Sequence, residues 1–274
     1  MTLIIGKRSN LSKKIFEQFD DCVLISSSEI DNNLESILKY CNSGVVNIIL
    51  NNFQASVLLN DDNDFDDYII KSLLNTSRIL SFLINNNIVI NKLIYTSSSS
   101  VYGNNKFCSE NDQVKPMSLQ AALKISNEEL IKRICAKNQI NYTIARVFNM
   151  YGGDDKFSVI SKIKDSCLNK KTLNIINGGR AIRDYINIDD VVYIYKVLIY
   201  NRTKYPTILN VASGNGKRVI DIINSLKSRG VVMDINNIQR DEIKASVADV
   251  TLLGEIVDTE KLLDVKNFLF NKLS

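Results

Sequence analysis

The sequence predicts an α/β fold: a doubly wound parallel sheet followed by a smaller α/β lobe. Two observations support this class. Short apolar runs of strand length alternate with longer segments of helical periodicity from the first residues onward, which is the pattern of βαβ units. Past residue 150 the elements shorten and glycine becomes more frequent, as in YGGDD and INGGRAIRDY. We therefore expect one domain in residues 1–150, joined by part of 180–210, and a second domain in 151–274.

Strands are predicted from short runs rich in Val, Ile and Leu, and helices from apolar residues spaced three or four apart. The order begins with strand TLIIG, helix NLSKKIFEQF, strand CVLIS, helix NLESILKYC and strand VVNIIL. A helix over about 66–86, strand KLIYTSS, a helix over 118–137 and strand YTIARVF follow. Both long helices carry apolar faces, which predicts that they pack on the sheet.

Composition excludes several classes of protein. The 274 residues are 45% hydrophobic and 23% charged, which is ordinary for a globular chain. The net charge of +4 is spread along the sequence without a basic stripe, so no nucleic-acid partner is expected. Neither a long apolar run nor a leader pattern occurs, so we expect a cytoplasmic protein without a membrane partner.

The cysteine and histidine content limits which metal sites and catalytic mechanisms are possible. The five cysteines are widely scattered, and the chain has no histidine. This pattern offers no zinc-binding set and excludes mechanisms that pair histidine with serine or cysteine. We expect free, mostly buried thiols and no metal site.

The first strand–turn–helix, LIIGKRSNLSKK, is a candidate anion site, because the first N–H groups of the helix face the turn. Dinucleotide-binding turns of this kind have three glycines. Only Gly6 is present, and Ser9 and Ser12 occupy the other two positions. The candidate cofactor-binding residues here are Gly6, Lys7, Arg8, Ser9, Asn10 and Leu11.

The cofactor preference is inferred from cations in this turn and hydroxyls after the second strand. Lys7 and Arg8 suit a phosphate, and Ser26, with the serines that follow it, offers donors to a 2′-phosphate. This favours NADP(H), with Arg8 on that phosphate, and leaves NAD(H) as the alternative. A solvated basic loop without a ligand is a further alternative.

Six motifs in order resemble the extended short-chain dehydrogenase/reductase family, in particular its nucleotide-sugar epimerase/dehydratase/reductase branch. They are YTSSSSVYG, PMSLQAALKISNEEL, ARVFNMYGG, GGRAIRDYINIDDVV, LNVASGNG and QRDEIKASVAD. The resemblance covers nearly the whole chain. It implies a Rossmann-like dinucleotide-binding domain, a substrate-binding second lobe, a nucleoside-diphosphate sugar as ligand, and a homodimer built on the two long helices. The segment 28–45 is shorter than the helix–strand–helix usual in this family.

The resemblance also implies roles for individual residues. The catalytic positions are Ser98, Lys124 and Gln120. Further cofactor-binding positions are Ser26, Asn51, Asn52, Thr96 and Lys124. The substrate-binding positions are Ser98, Ser99, Asn149, Arg183 and Arg240. The planar fork of arginine suits the diphosphate that the last two are expected to hold.

Gln120 stands where the family has its catalytic tyrosine. An amide donates hydrogen bonds but does not exchange protons at a useful pKa, and losing acid–base help costs about 10²–10⁴ in rate. Other proton donors remain open: Ser98 through a water molecule, Lys124, Tyr142 or Tyr151.

The expected reaction follows from the resemblance. The family's dehydratases carry an Asp-Glu pair where this chain has Ser99 and Ser100, so dehydration by that route is not expected. The cations in the first turn favour reduction of a nucleoside-diphosphate 4-keto-6-deoxy sugar by hydride transfer from NADPH. An NAD-dependent nucleotide-sugar epimerase is the alternative. A catalytically impaired homologue that only binds nucleotide sugars is the second alternative.

Overall fold

The computed structural model describes residues 1–53, 65–201 and 205–273. The chain divides into two compact units. The first comprises Met1–Val101, Pro116–Arg146 and Tyr195–Leu209, and the second comprises Tyr102–Lys115, Val147–Ile194 and Asn210–Ser274. Dinucleotide binding by the first unit and substrate binding by the second stay predictions.

The predicted strands and helices are present up to residue 147, and two short elements that were not predicted, Ser27–Asn32 and Phe107–Cys108, are added to them. The elements are β1 (Thr2–Ile5), α1 (Asn10–Gln18), β2 (Cys22–Ile25), α2 (Ser27–Asn32), β3 (Val45–Leu50), α3 (Phe65–Ile69), α4 (Asn75–Asn85), β4 (Val89–Ser98), β5 (Phe107–Cys108), α5 (Leu119–Asn138) and β6 (Asn141–Val147). Ile70–Leu74 form a π-helical segment between α3 and α4, so the helix predicted over 66–86 is continuous but locally underwound. Leu34–Tyr40, predicted as a helix, are a 3₁₀-helix.

The elements after residue 147 are shorter. They are β7 (Asn149–Tyr151), α6 (Val159–Asn169), β8 (Leu173–Ile176), β9 (Ile182–Asn187), α7 (Ile188–Tyr200), β10 (Ile208–Val211), β11 (Gly216–Arg218), α8 (Val219–Lys227), β12 (Ile235–Ile238), β13 (Ala245–Ala248), α9 (Thr251–Gly254) and α10 (Val265–Leu273).

A six-stranded sheet in the order β10-β6-β4-β3-β1-β2 confirms the predicted Rossmann-like fold. β1 pairs in parallel with both β2 and β3, and β3 pairs in parallel with β4. The chain therefore winds to both sides of β1, which is the switch point where sheets of this kind bind ligands. Every residue of β1 is buried, as expected for a central strand covered on both faces.

The core of the first unit lies between this sheet and its helices. Ile79, Leu80 and Leu83 of α4 and Ile131 of α5 are fully buried in it, so the apolar faces predicted for the long helices do pack on the sheet. Leu74, at the end of the π-helical segment, is 42% exposed. The homodimer expected through these helices stays a prediction.

The second unit is built on strand pairs of mixed direction. β11, β9, β13 and β5 form one sheet in that order, β7 pairs with β9, and β12 pairs with β8. Its own apolar cluster includes Tyr151, Ile160, Ile163, Leu173 and Leu269, all of which are buried.

Three negative observations apply to the described ranges. In residues 1–53, 65–201 and 205–273, no helix combines the length and apolarity that crossing a bilayer requires. The same ranges contain no group of three or more Cys, Asp or Glu side chains arranged to hold a metal ion. All five cysteines are free.

Candidate active site

The carboxyl edge of the parallel sheet collects four of the predicted cofactor residues. Ile5 is level with Ile25 and with Leu50, and Leu50 is level with Tyr95. The residues that follow these four strand positions therefore form a row along one edge of the sheet. They are Gly6, Ser26, Asn51 and Thr96.

Gly6, in this row, lies close against the backbone of Asn51. Its φ is +111°, and a Cβ built on it would lie 2.3 Å from the backbone oxygen of Asn51. Only glycine fits this position, because any side chain would overlap the end of β3. The turn between β1 and α1 is therefore tight enough for its backbone to approach a bound pyrophosphate, as dinucleotide-binding turns require.

Asn51 is hydrogen-bonded to the two serines that stand in place of glycines in this turn. Its Nδ2 donates to Ser9 Oγ and to Ser12 Oγ, both at 2.9 Å. Ser12 is fully buried, so its hydroxyl depends on this partner. The serines at the second and third glycine positions are thus held by a side chain from the end of β3.

Asn52 points into the first unit. It is 2% exposed, and its Nδ2 donates to the backbone oxygen of Lys71 at 2.9 Å and to Thr76 Oγ1 at 3.3 Å. The amide therefore braces the π-helical segment between α3 and α4. A direct contact of Asn52 with a cofactor stays a prediction. Leu11, another predicted contact, is 2% exposed, whereas Lys7 and Arg8 are exposed.

A carboxylate that the sequence analysis missed lies at the end of β2. Glu29 Oε2 accepts from the backbone N–H and the hydroxyl of Ser26, both at 2.8 Å, and Ser26 Oγ caps α2. Burial acts to raise the pKa of Glu29, but the bonds from Ser26 and the charges of Lys7 and Lys39 outweigh it, so the pKa is lowered. The available signal was its position about 20 residues after the glycine turn, where the family places an acid that binds ribose hydroxyls.

Lys124 lies on α5 and is 7% exposed. Its Nζ donates to the backbone oxygen of Thr96 at 3.1 Å and lies 4.1 Å from the centroid of the Phe53 ring. Burial lowers the pKa of Lys124 to about 7, although the charge of Glu128 acts in the opposite direction.

Glu128, one turn further along α5, is committed to a buried ion pair. Its Oε2 accepts from Arg146 Nη2 at 2.8 Å, and its Oε1 accepts from Arg146 Nε at 3.2 Å and from the hydroxyl of Ser97. The two charged side chains are 2% and 3% exposed. This bidentate pair fixes α5 against β4 and β6, and it supports the strand end that carries Ser98.

The other predicted catalytic positions lie at the same end of β4 and at the start of α5. Ser98 is the last residue of β4, and its Oγ accepts from the backbone N–H of Ser100 at 3.2 Å. Ser99 begins a 3₁₀-turn. Gln120 is the second residue of α5, half-buried and one turn before Lys124.

Neither tyrosine considered as an outside proton donor is well placed. Tyr142 is the second residue of β6, near its amino end, whereas Ser98 ends β4. Tyr151 is fully buried in the second unit, and its hydroxyl donates to the backbone oxygen of Leu263 at 2.9 Å. Burial raises the pKa of both hydroxyls.

The predicted substrate residues of the second unit lie around β9. Asn149 begins β7, and its Nδ2 donates to the backbone oxygen of Asp184 at 2.9 Å. Arg183 pairs with Glu242 at 3.3 Å. Arg240 is held through its backbone, which exchanges hydrogen bonds with the side chain of Asn177.

Asp184, between these residues, has a structural role. It is fully buried and accepts from the backbone N–H groups of Ser213, Gly214 and Ala248. Burial raises the pKa of Asp184, against the opposing effect of these hydrogen bonds. The carboxylate thus ties β9 to the ASGNG turn and to β13.

A cavity of about 490 Å³ in the second unit is lined by Arg240 and by two cations that the sequence analysis did not single out, Arg180 and Lys244. Asp241 and Glu242 also line it. Three cations against two carboxylates leave a net positive charge, which suits an anionic ligand.

Comparison with known proteins gives the family. Residues 32–212 match the model of the NAD dependent epimerase/dehydratase family. The ADP-L-glycero-D-manno-heptose-6-epimerase of Brachyspira hyodysenteriae is 26% identical over 237 residues, which cover 81% of this chain and 69% of that protein. Other curated relatives are matched over about a third to two thirds of their own length.

Solved structures of similar fold carry nicotinamide cofactors and sugar nucleotides. MoeE5 in complex with UDP-glucuronic acid and NAD aligns with a TM-score of 0.83 at 19% identity, over 99% of this chain and 97% of that chain. UDP-glucuronic acid 4-epimerase from Bacillus cereus, in complex with UDP-glucuronic acid and NAD, aligns with a TM-score of 0.82 at 19% identity, over 100% and 98%. At these identities the likeness shows the fold. Because the family model matches about two thirds of the sequence, the chain belongs to the NAD dependent epimerase/dehydratase family.

Proposed function

We propose that the chain is an NAD-dependent epimerase of a nucleoside-diphosphate sugar, acting through a transient ketone. The observation that carries this proposal is the carboxylate of Glu29 at the end of β2, about 20 residues after Gly6. A carboxylate there accepts hydrogen bonds from ribose hydroxyls and repels a 2′-phosphate. Glu29 therefore favours NAD(H), against the NADP(H) preference inferred from the cations of the first turn and the serines after the second strand.

The residues at the sheet edge fit a dinucleotide. Gly6 supplies the close backbone approach, and the first turn of α1 supplies N–H groups and a favourable dipole for a pyrophosphate. Bound NAD supplies a hydride acceptor and donor in one cycle, so an epimerase needs no second cofactor. Dehydration is disfavoured, because Ser99 and Ser100 stand where the family's dehydratases have acidic residues.

The second unit supplies the groups for the sugar nucleotide. Arg183 and Arg240 are proposed to hold the diphosphate. Arg240 lines the cavity together with Arg180 and Lys244. Arg183 pairs with Glu242, which also lines the cavity. Asn149 of this unit remains a proposed substrate contact, as do Ser98 and Ser99 of the first unit.

A second candidate is reduction of a 4-keto-6-deoxy sugar nucleotide by NADPH. It is favoured by Lys7 and Arg8, which are exposed in the first turn and suit an additional phosphate. In this case Glu29 would be a helix-capping residue only.

Calorimetry with the purified protein tests the cofactor. We expect NAD to bind more tightly than NADP. Glu29→Gln keeps a capping oxygen but removes the charge, and it should reduce the ratio of the NADP and NAD dissociation constants by about tenfold or more. Glu35→Gln, an exposed change in the following 3₁₀-helix, should leave this ratio unchanged. Tighter binding of NADP to the natural protein would contradict the assignment.

NMR of sugar nucleotides tests the reaction. The protein is incubated with NAD and a panel of UDP-, ADP-, CDP- and dTDP-sugars, and we expect a new epimer without net cofactor reduction. Consumption of NADPH with a 4-keto-6-deoxy sugar nucleotide would support the second candidate instead. Nucleotide-sugar binding without either reaction would leave a binding homologue and overturn both enzymatic proposals.

A further inference from the structure

Redox chemistry at an alcohol carbon must move a proton as well as a hydride, and this chain lacks the tyrosine that its family uses. Gln120 does not exchange protons at useful pH. The group that does so must be titratable and must lie near Ser98, at the carboxyl end of β4. In the described part of the first unit, the titratable groups packed around this end are Lys124, Glu128, Tyr68, Tyr95 and Tyr195, with Arg146 behind Glu128.

The other titratable groups are unsuited to the task. Both carboxylate oxygens of Glu128 accept from the guanidinium of Arg146, so its charge is fixed by a buried partner. Tyr95 on β4 and Tyr195 on α7 are fully buried, and burial raises the pKa of each. Tyr68 is 3% exposed, and burial raises its pKa to about 12. None of these tyrosines would release a proton near neutral pH.

Lys124 differs from them in its surroundings. Among the described residues, no carboxylate lies within ion-pair distance of its Nζ, and Glu128, one turn further along α5, is bound by Arg146. One N–H donates to the backbone oxygen of Thr96, and the Phe53 ring covers a second side at 4.1 Å. An ammonium has three N–H donors, so one remains for a ligand oxygen at the sheet edge.

Burial without a counter-ion makes the charged and neutral forms of this amine comparable in free energy. Burial lowers the pKa of Lys124 to about 7, which is close to the value that favours general acid–base catalysis at neutral pH. The aromatic face of Phe53 stabilises the ammonium, and the ring also excludes water from it. The surroundings therefore permit both protonation states, as a proton carrier requires.

We propose that Lys124 is the proton carrier of the reaction in place of the missing tyrosine, and that Phe53 is a positioning residue that keeps its amine dry. This inference rests on the proposed function. In the oxidation step the sugar C–H bond breaks with its electron pair passing to the nicotinamide, and the hydroxyl proton passes to the lone pair of Lys124 Nζ. In the reduction step the hydride returns to the other face of the carbonyl carbon, and the ammonium returns its proton to the oxygen. The cofactor and the lysine end the cycle as they began.

Lys124→Arg is the decisive variant, because arginine keeps the positive charge and a donor for Thr96 but does not release a proton. We expect turnover to fall by about 10²–10⁴, with NAD affinity changed by less than about tenfold. Lys132→Arg, on the partly exposed side of the same helix, is the matched control and should retain full turnover.

A pH titration tests the role of Phe53. The natural enzyme should lose kcat/KM as pH falls below about 7, because the first step needs the neutral amine. In Phe53→Ala water reaches the amine, so the pH at which kcat/KM is half lost should rise by about one unit or more. Phe53→Leu keeps an apolar cover over the amine and should raise this pH less. Lysine ¹³C NMR of the protein without substrate provides a readout besides activity, with the Lys124 signal assigned by its loss in Lys124→Arg.

The outcomes separate this inference from the proposed function. Two results would overturn the role of Lys124 without contradicting the proposed epimerase. One is turnover that persists in Lys124→Arg, and the other is a pH dependence of kcat/KM that stays unchanged in the Phe53 variants while the NMR titration of Lys124 shifts. A natural protein that turns over no sugar nucleotide would overturn both the role of Lys124 and the epimerase. Loss of turnover with retained NAD binding, together with parallel shifts of the pH dependence of kcat/KM and the NMR titration, is the expected result.

Discussion

Asn51 donates its side-chain amide to Ser12 Oγ at 2.9 Å, so the end of β3 is tied to the first turn of α1. The same amide donates to Ser9 Oγ, and the two serines stand at glycine positions of the dinucleotide turn. The turn therefore keeps its shape through a hydrogen-bonded set of side chains rather than through glycine.

Replacing Asn51 with leucine should destabilise the protein and weaken NAD binding together. The buried hydroxyl of Ser12 loses its partner, which costs about 1–3 kcal/mol. Chemical denaturation measures the free energy of unfolding, and calorimetry measures the NAD affinity. Asn91→Leu is the control, because it removes an exposed hydrogen bond from the side-chain amide of Asn91 to Asn47 Oδ1. Equal effects of the two variants on NAD affinity would show that Asn51 has no special connection to the turn.

Gly6→Ala should abolish NAD binding and lower stability. The added Cβ would meet the backbone oxygen of Asn51 at 2.3 Å, and neither backbone can retreat without moving a central strand. Gly44→Ala is the control: that glycine also has a positive φ, but a Cβ there meets nothing within 4 Å. The difference between the two variants isolates the close approach from the cost of the backbone conformation. Retained NAD affinity in Gly6→Ala would show that this turn does not hold the pyrophosphate.

Glu128→Ala should be among the most destabilising single changes in the first unit. It leaves the guanidinium of Arg146 buried without its carboxylate, and breaking such a pair costs about 3–5 kcal/mol. The neighbouring Glu129→Ala removes an exposed pair with Arg133 and should cost about 0–1 kcal/mol. Thermal and denaturant unfolding of both variants give the comparison, and a similar loss in the two would contradict the buried pair.

The parallel sheet and most of its strands and helices were predictable from sequence, because the spacing and length of apolar runs reflect burial. The order of the strands across the sheet was not predicted, because it depends on pairing between distant segments. Lys124 lies on the predicted helix and Ser98 ends the predicted strand, and their roles stay predictions. Glu29 was missed because the three serines before it were interpreted as hydroxyl donors to a 2′-phosphate. Its carboxylate reaches the end of β2 only through the capping box with Ser26, which is a local hydrogen-bond pattern.

The surroundings of Lys124 were less predictable, because they depend on contacts between distant segments. Phe53 follows β3 and meets Lys124 across 71 positions of the chain. The pairing of Glu128 with Arg146, which deprives Lys124 of a counter-ion, joins α5 to β6. Neither relationship follows from the local pattern around either residue.

Lys124→Met should stabilise the protein most below pH 7. The lysine has an ordinary pKa of 10.5, and in the folded chain burial lowers it to about 7. Between these values the unfolded chain binds a proton that the folded chain has released, so the free energy of unfolding of the natural protein rises with pH across this window. Below pH 7 both states bind the proton, and the folded state bears the full cost of a buried charge.

The advantage of the methionine variant should therefore be on the order of a few kcal/mol near pH 6 and should disappear toward pH 10.5. Denaturant unfolding at closely spaced pH values measures it, with Lys137→Met, an exposed change near the end of the same helix, as the control for loss of a lysine. A stability advantage that grows with pH would contradict a lowered pKa for Lys124. An advantage that is constant with pH would mean that methionine improves packing without relieving a buried charge. Either result would also remove the reason to regard Lys124 as an amine poised to exchange protons, because that role requires the buried charge to be costly in the folded protein.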